Sequence, residues 1–525
     1  MTGDASKRAP RTKQMIWPAI IVFISLFGLV TVLGFLGPYW RRGNLDELHQ
    51  WGLGGRQFGT FVSWFLIGGD LYTAYTFIAV PAFVYGQGPV AFYALPYTAI
   101  VYPLVFIFAP RFWTIAKNRG YITYADFARE RYDSRGLALA IAFTGILATM
   151  PYIALQLVGI QVVVKAMGLA GTGLWRDAPI IIAFVILAAY TYRGGLRAPA
   201  LVAFVKDTLI YVTVIAAAII IPAKLGGFGH IFSAAGAALA SRPKPISLIL
   251  PPEEFSTYVT LALGSALAVF MYPHNITGVL SASGPKVIRR NMIALPIYSL
   301  LLAVLASFGY MAIAAGIHPD SPNEAVPQLF LHMFPAWFAG FGFAAIAIGA
   351  LVPAAIMSIA SANTFTRNIY KEYINRNCSD LQEANNAKLV SLIMKLGALI
   401  FVLLLPTQYA INFQLLAGGW ILQTFPTLIL GMYTRWFHGG ALLAGWLVGM
   451  VAATYMPATT YNAETHRFST IYSLHLGSMT VPGFEALYAF IANLLVSAVL
   501  TVVFDALKVQ RGIDKTTPAD YLEAA

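Results

Sequence analysis

Ile67-Gly68-Gly69-Asp70-Leu71-Tyr72-Thr73 stands in the middle of an apolar stretch that runs from about residue 58 to 85. Two glycines and a carboxylate are out of place in an ordinary membrane-crossing helix. Glycine weakens the helix and lets another group approach the backbone. A carboxylate at mid-depth costs roughly 2.5–3.5 kcal/mol or more, so it must face a cavity or a partner. A second interruption reads Phe270-Met271-Tyr272-Pro273-His274-Asn275-Ile276-Thr277-Gly278. Here Pro273 removes a helix hydrogen bond and frees carbonyls near residue 269, and His274 is the residue type that changes charge near neutral pH. Each stretch also has a plainer reading: a packing glycine pair with Asp70 satisfied by a neighbouring helix, and a proline kink with a capping histidine.

The surroundings of both stretches are those of a membrane protein. Of 525 residues, 58% are apolar and 11% are charged, against roughly 25% charged in a soluble domain. Thirteen apolar segments follow one another at about 15–37, 58–85, 91–112, 136–168, 178–192, 200–223, 256–280, 291–316, 337–366, 389–406, 411–433, 438–456 and 483–506. Stretches of around 20 such residues cross the hydrocarbon as helices, and the short alternating strands of a membrane barrel are not written here. The expected fold is all-α and polytopic, with about 13 transmembrane helices. The net charge of +12 does not point to nucleic acid, because the basic residues sit between apolar segments, where they set topology. Cys378 is the only cysteine, which excludes an intrachain disulfide. The first segment is too long for a signal peptide and has no clear cleavage site, so it is expected to stay as a helix.

Charge placement gives an orientation. With the loop after segment 1 on the cytoplasmic side, 22 of the 34 lysines and arginines fall inside. They include Lys117, Arg119, Arg129 and Arg131 in one long charged loop, and Lys371 and Arg376 in another. Lys7, Arg8, Arg11 and Lys13 then lie outside against the trend. The expectation is an inner-membrane protein with its N-terminus outside and its C-terminus in the cytoplasm.

The two interrupted segments are the second and the seventh, five apart. Disrupted segments at matching positions of two halves point to a transporter's binding site. A 5+5 inverted repeat fits, with broken helices in spans 2 and 7. It divides the chain into 1–57 (tail, first helix and loop), 58–223 (first five-helix repeat), 224–255 (extracellular loop), 256–433 (second, inverted repeat) and 434–525 (two peripheral helices and a short tail). Two further places carry polar groups at depth. Segment 6 holds Lys206-Asp207, with Lys206 nine residues past Arg197, or roughly 13 Å of helix rise. That is awkward for snorkelling and favours a functional role. Segment 9 holds Pro353 and then Ser358, Ser361 and Asn363, which serve equally well as helix–helix glue or as a site.

Beyond these features the chain resembles the sodium/solute symporter family, whose members share the leucine-transporter-like inverted-repeat fold. The resemblance runs from about residue 45 to 440. It rests on Leu45-Asp46-Glu47-Leu48 through Gly54-Gly55-Arg56, Gly120-Tyr121-Ile122-Thr123-Tyr124 through Arg129-Glu130-Arg131-Tyr132, and Pro151-Tyr152-Ile153-Ala154-Leu155-Gln156. Tyr192-Arg193-Gly194-Gly195-Leu196-Arg197-Ala198 is the most specific stretch, and Phe365-Thr366-Arg367-Asn368-Ile369-Tyr370-Lys371-Glu372-Tyr373 closes the series. Within the family the chain looks most like the bacterial monocarboxylate permeases, which implies import of lactate, pyruvate or similar acids.

The resemblance implies a sodium site on backbone carbonyls of the broken second segment, at Gly69 and Tyr72, completed by two adjacent hydroxyl residues in the ninth. The chain departs from that pattern. Anchored on Ala354–Ser358 the pair reads Ser358-Ile359, and anchored on Phe365–Lys371 it reads Val352-Pro353. The family's Thr-Asp in the sixth segment reads Lys206-Asp207. A proton-coupled amino-acid transporter of the same fold puts a lysine where sodium would sit, and Lys206 is expected to do so here, making uptake proton-linked. The coupling candidates are Gly69, Asp70, Lys206, Asp207, Ser358, Ser361 and Asn363. The candidates for lining the substrate are Tyr72, Thr73, Thr76, Tyr152, Gln156, Tyr272, His274 and Asn275. Asp70 fits poorly beside an anion unless it is protonated or paired, with Lys206 as one partner.

The competing expectation is a sodium-coupled symporter of another small solute, an amino acid, carboxylate or vitamin, with Gly69 and Tyr72 as metal ligands. A transporter-like sensor would need a signalling domain that the short tail after Phe504 does not supply. A channel would need a repeated pore loop, and an enzyme a phosphate loop or metal cluster. No cofactor is expected. The expected partners are the lipid bilayer and a small-molecule substrate, with the oligomeric state open.

Overall fold

Backbone that crosses lipid must satisfy its own hydrogen bonds, so the apolar segments become helices. In the computed structural model, which describes residues 15–40, 43–169, 178–404, 410–464 and 467–522, they do. The helices are α1 (Trp17–Trp40), α2 (Thr60–Leu71), α3 (75–87), α4 (Ala94–Arg119), α5 (Tyr124–Tyr132), α6 (Arg135–Ala166), α7 (Ala178–Gly194), α8 (Arg197–Lys224) and α9 (Phe228–Ala240). The chain continues with α10 (Phe255–Ala268), α11 (Pro273–Ser281), α12 (Pro285–Ala294), α13 (Ile297–Ala314), α14 (Ala325–Met333) and α15 (Ala336–Phe365). It ends with α16 (Asp380–Leu404), α17 (Ile411–Leu422), α18 (Pro426–Tyr433), α19 (Gly439–Thr459) and α20 (Glu485–Ala506).

Among the described residues, ten helices are long and apolar enough to cross a bilayer, or eleven when α17 and α18, which meet at 43°, count as one bent span. Thirteen is not reached on length and composition. α2 and α7 are short, and residues 75–119 form one nearly continuous helical run across segments the sequence divides. The stretch expected as a loop at 224–255 contains the apolar helix α9, which packs on α13. Two strands also escaped the hydropathy reading. Ile471–Leu476 (β1) and Met479–Phe484 (β2) pair antiparallel, and Phe484 N–H donates to Thr260 Oγ1 at 2.9 Å, pinning the hairpin to α10. Lys7, Arg8, Arg11, Lys13, Arg41 and Arg42, which enter the charge reading, lie outside the described residues.

α15 is the axle of the bundle. Its apolar core is wholly buried, whereas α1 and α20 bury under a third of theirs. It packs on α6, α1, α8 and α16. Small residues allow this closeness: a Cβ on Gly340 would fall 2.3 Å from the Ala19 carbonyl oxygen of α1. After α20 the chain turns back along the ends of α4 and α5. There Asp514 pairs with Arg131, Lys515 lies 2.8 Å from Asp133, and Asn118 donates to the Asp520 carbonyl at 3.0 Å. Burial pushes the Tyr132 phenol above its usual range, and Lys515 holds the Asp133 carboxyl below its own.

The interruptions read from the sequence are real breaks. α2 ends at Leu71, and Tyr72 is extended (φ −94°, ψ 91°) before α3 starts. α10 runs into a 3-10 turn, Val269–Met271, and Tyr272 is extended (φ −63°, ψ 139°) ahead of Pro273 at the start of α11.

Candidate functional site

At the first break the last turn of α2 leaves carbonyls with no helical partner. The Lys206 side chain of α8 meets them. Its ammonium donates to the Gly69 carbonyl and, at 3.2 Å, to the Tyr72 carbonyl, and it lies 2.9 Å from Asp207 Oδ1. Lys206 and Asp207 are both buried. Gly69 must be glycine for this contact, since a Cβ there would lie 2.7 Å from Lys206 Nζ. The start of α3 is capped from within and from α6. Ala74 N–H donates to Gln156 Oε1 at 3.1 Å, Tyr75 N–H to Thr73 Oγ1 at 2.9 Å, and Thr73 N–H to Thr76 Oγ1 at 3.1 Å. Thr73, Thr76 and Gln156, expected to line the substrate, therefore spend polar atoms on closing the break.

Tyr298 of α13 is a site residue that sequence reading missed. Its hydroxyl donates to Asp207 Oδ2 at 3.2 Å, its carbonyl accepts from the Tyr72 hydroxyl, and its ring lies 4.6 Å from that of Tyr72. A tyrosine in an apolar helix gives no sequence signal for this.

The second break faces the first. His274 Nε2 lies 3.7 Å from Asp70 Oδ2, within ion-pair reach and beyond a hydrogen bond. Asp70 thus has the His274 ring within 4 Å, and Lys206 has Asp207. The rings of Tyr152 and Tyr272 stand 5.4 and 5.2 Å from the His274 ring, and the Tyr272 hydroxyl donates to the Gln414 carbonyl of α17 at 3.2 Å. Asn275 Nδ2 donates to the freed Val269 carbonyl at 2.5 Å. Three buried polar atoms at this meeting point have no hydrogen-bond partner: Asp70 Oδ1, His274 Nδ1 and Asn275 Oδ1. Unsatisfied buried groups are costly, and three at one break call for an explanation, which makes this meeting point the candidate site.

The candidates of the ninth segment lie elsewhere. A Cβ on Gly349 would be 3.9 Å from the Tyr72 carbonyl oxygen. The turn of α15 beside the first break is therefore that of Gly349, and residues three and four further on, Val352 and Pro353, share its face. Ser358 instead donates to the Ala355 carbonyl at 2.8 Å and accepts from Ser391 at 3.3 Å. Lys395 of α16, buried, donates to Ser391 Oγ at 2.8 Å. Asn363 Nδ2 donates to the Gly52 carbonyl at 3.2 Å, and Ser361 Oγ has no partner.

A polar cleft of about 540 Å³ opens among Arg56, Lys117, Arg367, Lys371, Asp380 and Glu383. A small cavity of about 20 Å³, room for one water, lies under Pro273 and Thr277. Ile122 lines both and so stands between the cleft and the second break. Next to it, Thr123 donates to Asn368 Oδ1 at 2.6 Å and Asn368 to Asp126 Oδ1 at 2.7 Å. Two of the stretches that carried the family resemblance are here bolted to each other.

Residues 51–449 match the model of the sodium:solute symporter family. A monocarboxylate transport permease protein of Rhizobium johnstonii is 51% identical over 489 residues, covering 93% of this chain and 97% of that protein. The uncharacterized symporter YodF of Bacillus subtilis is 31% identical over 451 residues, covering 85% of this chain and 89% of its own. A solved structure, the substrate-bound outward-open state of a Na+-coupled sialic acid symporter, superposes with a TM-score of 0.73 over 93% of this chain and 98% of that one. At 16% identity it speaks for the fold alone, which is the leucine-transporter-like one. With helices broken at two facing points and a family match over most of its length, the chain belongs to the sodium:solute symporter family and is a multi-pass membrane transporter of a small solute.

Proposed function

We propose that the protein imports small monocarboxylates such as lactate or pyruvate by alternating access, and that uptake is linked to protons with Lys206 standing in for the family's sodium ion. The observation that carries the coupling half is the seat of the Lys206 ammonium, on the Gly69 and Tyr72 carbonyls and against Asp207. An ammonium there supplies the single positive charge that sodium would bring and leaves no room for both. The absence of a hydroxyl pair at Val352-Pro353 agrees with this reading. The substrate half is supported by the 51% identical relative whose name is a monocarboxylate permease. The proposed site runs over Tyr72, Thr73, Thr76, Tyr152, Gln156, Tyr272, His274 and Asn275, with Asp70 and Asp207 as its carboxylates. The repeats are proposed at 58–223 and 256–433, in an inner membrane with the N-terminus outside.

The experiment is uptake of labelled pyruvate and lactate into proteoliposomes, with sodium and pH gradients imposed separately. Accumulation driven by an inward proton gradient in sodium-free buffer is expected. Uptake that requires sodium would sink the coupling, and would restore a sodium-coupled symporter of the kind the sialic acid transporter's description names. Indifference to both acids would sink the substrate.

A further inference from the structure

We infer that the Asp70–His274 pair binds one proton together with the substrate carboxylate, so that an anion enters the site only as half of a neutral pair. The inference rests on the monocarboxylate reading and assigns the proton that travels with it.

The charge count comes first. Lys206 and Asp207 lie 2.9 Å apart, so they cancel. What remains beside the substrate is Asp70 of the first break and His274 of the second, 3.7 Å apart. Among the described residues, the other titratable rings against His274 are the phenols of Tyr152 on α6 and of Tyr272 just before it in the chain, both neutral at physiological pH. Without a proton, the pair carries one negative charge and repels a carboxylate. With one proton it is neutral, and a single anion can be accommodated.

The donors come second. A carboxylate needs N–H or O–H groups pointed at it. Asn275 Nδ2 gives one N–H to the Val269 carbonyl at 2.5 Å and lies 3.4 Å from His274 Nε2, so its amide nitrogen is engaged within the break and Oδ1 is the atom left without a partner. Asp70 Oδ1 is an acceptor when ionised. The backbone N–H groups of the first break are spent on Gln156, Thr73 and Thr76. His274 Nδ1 is a buried ring nitrogen with no partner, beside Asp70. A doubly protonated ring sets its positive charge within ion-pair reach of Asp70 and offers Nδ1–H to the substrate at the same time. Proton and carboxylate therefore stabilise one another, and Asp70, which looked hostile to an anion, becomes the counter-ion that holds the proton in place. The proton comes from the outer solution and leaves to the inner one when the site opens there. The acceptors Asp70 Oδ1 and Asn275 Oδ1 are left for a donor on the ligand, such as the hydroxyl of a 2-hydroxy acid.

The test is proton uptake on binding, measured with purified protein in weakly buffered detergent solution titrated with L-lactate and with pyruvate. One proton per lactate bound is expected, with proton uptake absent in His274→Gln. In proteoliposomes the KM for lactate should rise about tenfold per pH unit on the alkaline side in the wild type, as one linked proton requires. It should be flat in His274→Gln and in Asp70→Asn. Lactate binding to the wild type without proton uptake overturns the inference whatever the variants do, and so does proton uptake that persists in His274→Gln. A wild type that binds neither acid at any pH overturns the monocarboxylate reading itself, and the inference with it.

Discussion

The two breaks solve the same problem in opposite ways. At the first, the exposed carbonyls of Gly69 and Tyr72 are taken by Lys206, more than 130 residues away, and the free N–H of Ala74 by Gln156, 82 residues away. At the second, the freed Val269 carbonyl is taken by Asn275, six residues on. The first break is held open by the rest of the fold, and little of it remains unbonded. The second closes on its own chain and leaves His274 Nδ1 and Asn275 Oδ1 free. One is built as a fixed charge centre. The other leaves polar atoms without partners, and Asp70 reaches across to it from the first.

The harshest way to break this contrast is Lys206→Met. It strands Asp207 and two carbonyls in a dry interior, and breaking a buried ion pair costs about 3–5 kcal/mol. A large fall in melting temperature of the detergent-purified protein is expected, with uptake abolished. Lys206→Met combined with Asp207→Asn removes both charges, and replacing a buried pair outright is close to neutral. Stability should then return while uptake does not. A double variant that transports normally would show that the charge centre is only structural.

Gly69→Ala asks the same question with one methyl group. The added Cβ would lie 2.7 Å from Lys206 Nζ and 3.2 Å from Asp207 Oδ1, so the ammonium must leave its seat. Overpacking of this kind costs about 1–3 kcal/mol, and uptake should fall at least about tenfold, the change that goes with about 1.4 kcal/mol. Unimpaired, proton-driven uptake by Gly69→Ala would show that the amine's seat is dispensable.

How far the sequence reached follows the same division. Gly68-Gly69 and Pro273 are legible as breaks because glycine and proline act on their own backbone, and Lys206 is legible because a lysine at that depth needs a reason. Tyr298 is invisible, since its role is a hydroxyl reaching across to Asp207 from a helix that reads as ordinary. Ser358 is ambiguous in the sequence because a hydroxyl on a small-residue helix serves glue and site alike, and only packing shows it turned to Ser391, which in turn holds Lys395. The span count blurred for a related reason. Hydropathy marks where lipid can lie, and it cannot tell a gap between helices from the tight turn at residues 88–93 that carries α3 into α4.

Asn275→Ala probes the second break. It strips the Val269 carbonyl of its partner, so the loss should be that of one unmet buried hydrogen bond, about 1–3 kcal/mol. The melting temperature should drop modestly, well short of the fall in Lys206→Met. An equal fall would mean that the second break, too, is held by the fold at large.

Gly278→Ala should do least, and it sharpens the contrast because it repeats the Gly69 substitution on the other broken helix. Gly278 lies in α11 and faces α2, where its Cβ would come 3.3 Å from Ile67 Cγ1. That neighbour is the branch of an aliphatic side chain, which can turn by a few tenths of an ångström, whereas at Gly69 the neighbour is a bonded ammonium. Against this slight crowding stands the gain of alanine over glycine inside a helix, roughly 0.5–1 kcal/mol. The two nearly cancel, and melting temperature and uptake should both stay close to wild type. A loss in Gly278→Ala as deep as in Gly69→Ala would mean that the approach of the two broken helices, and not the seat of the Lys206 amine, is what these glycines protect.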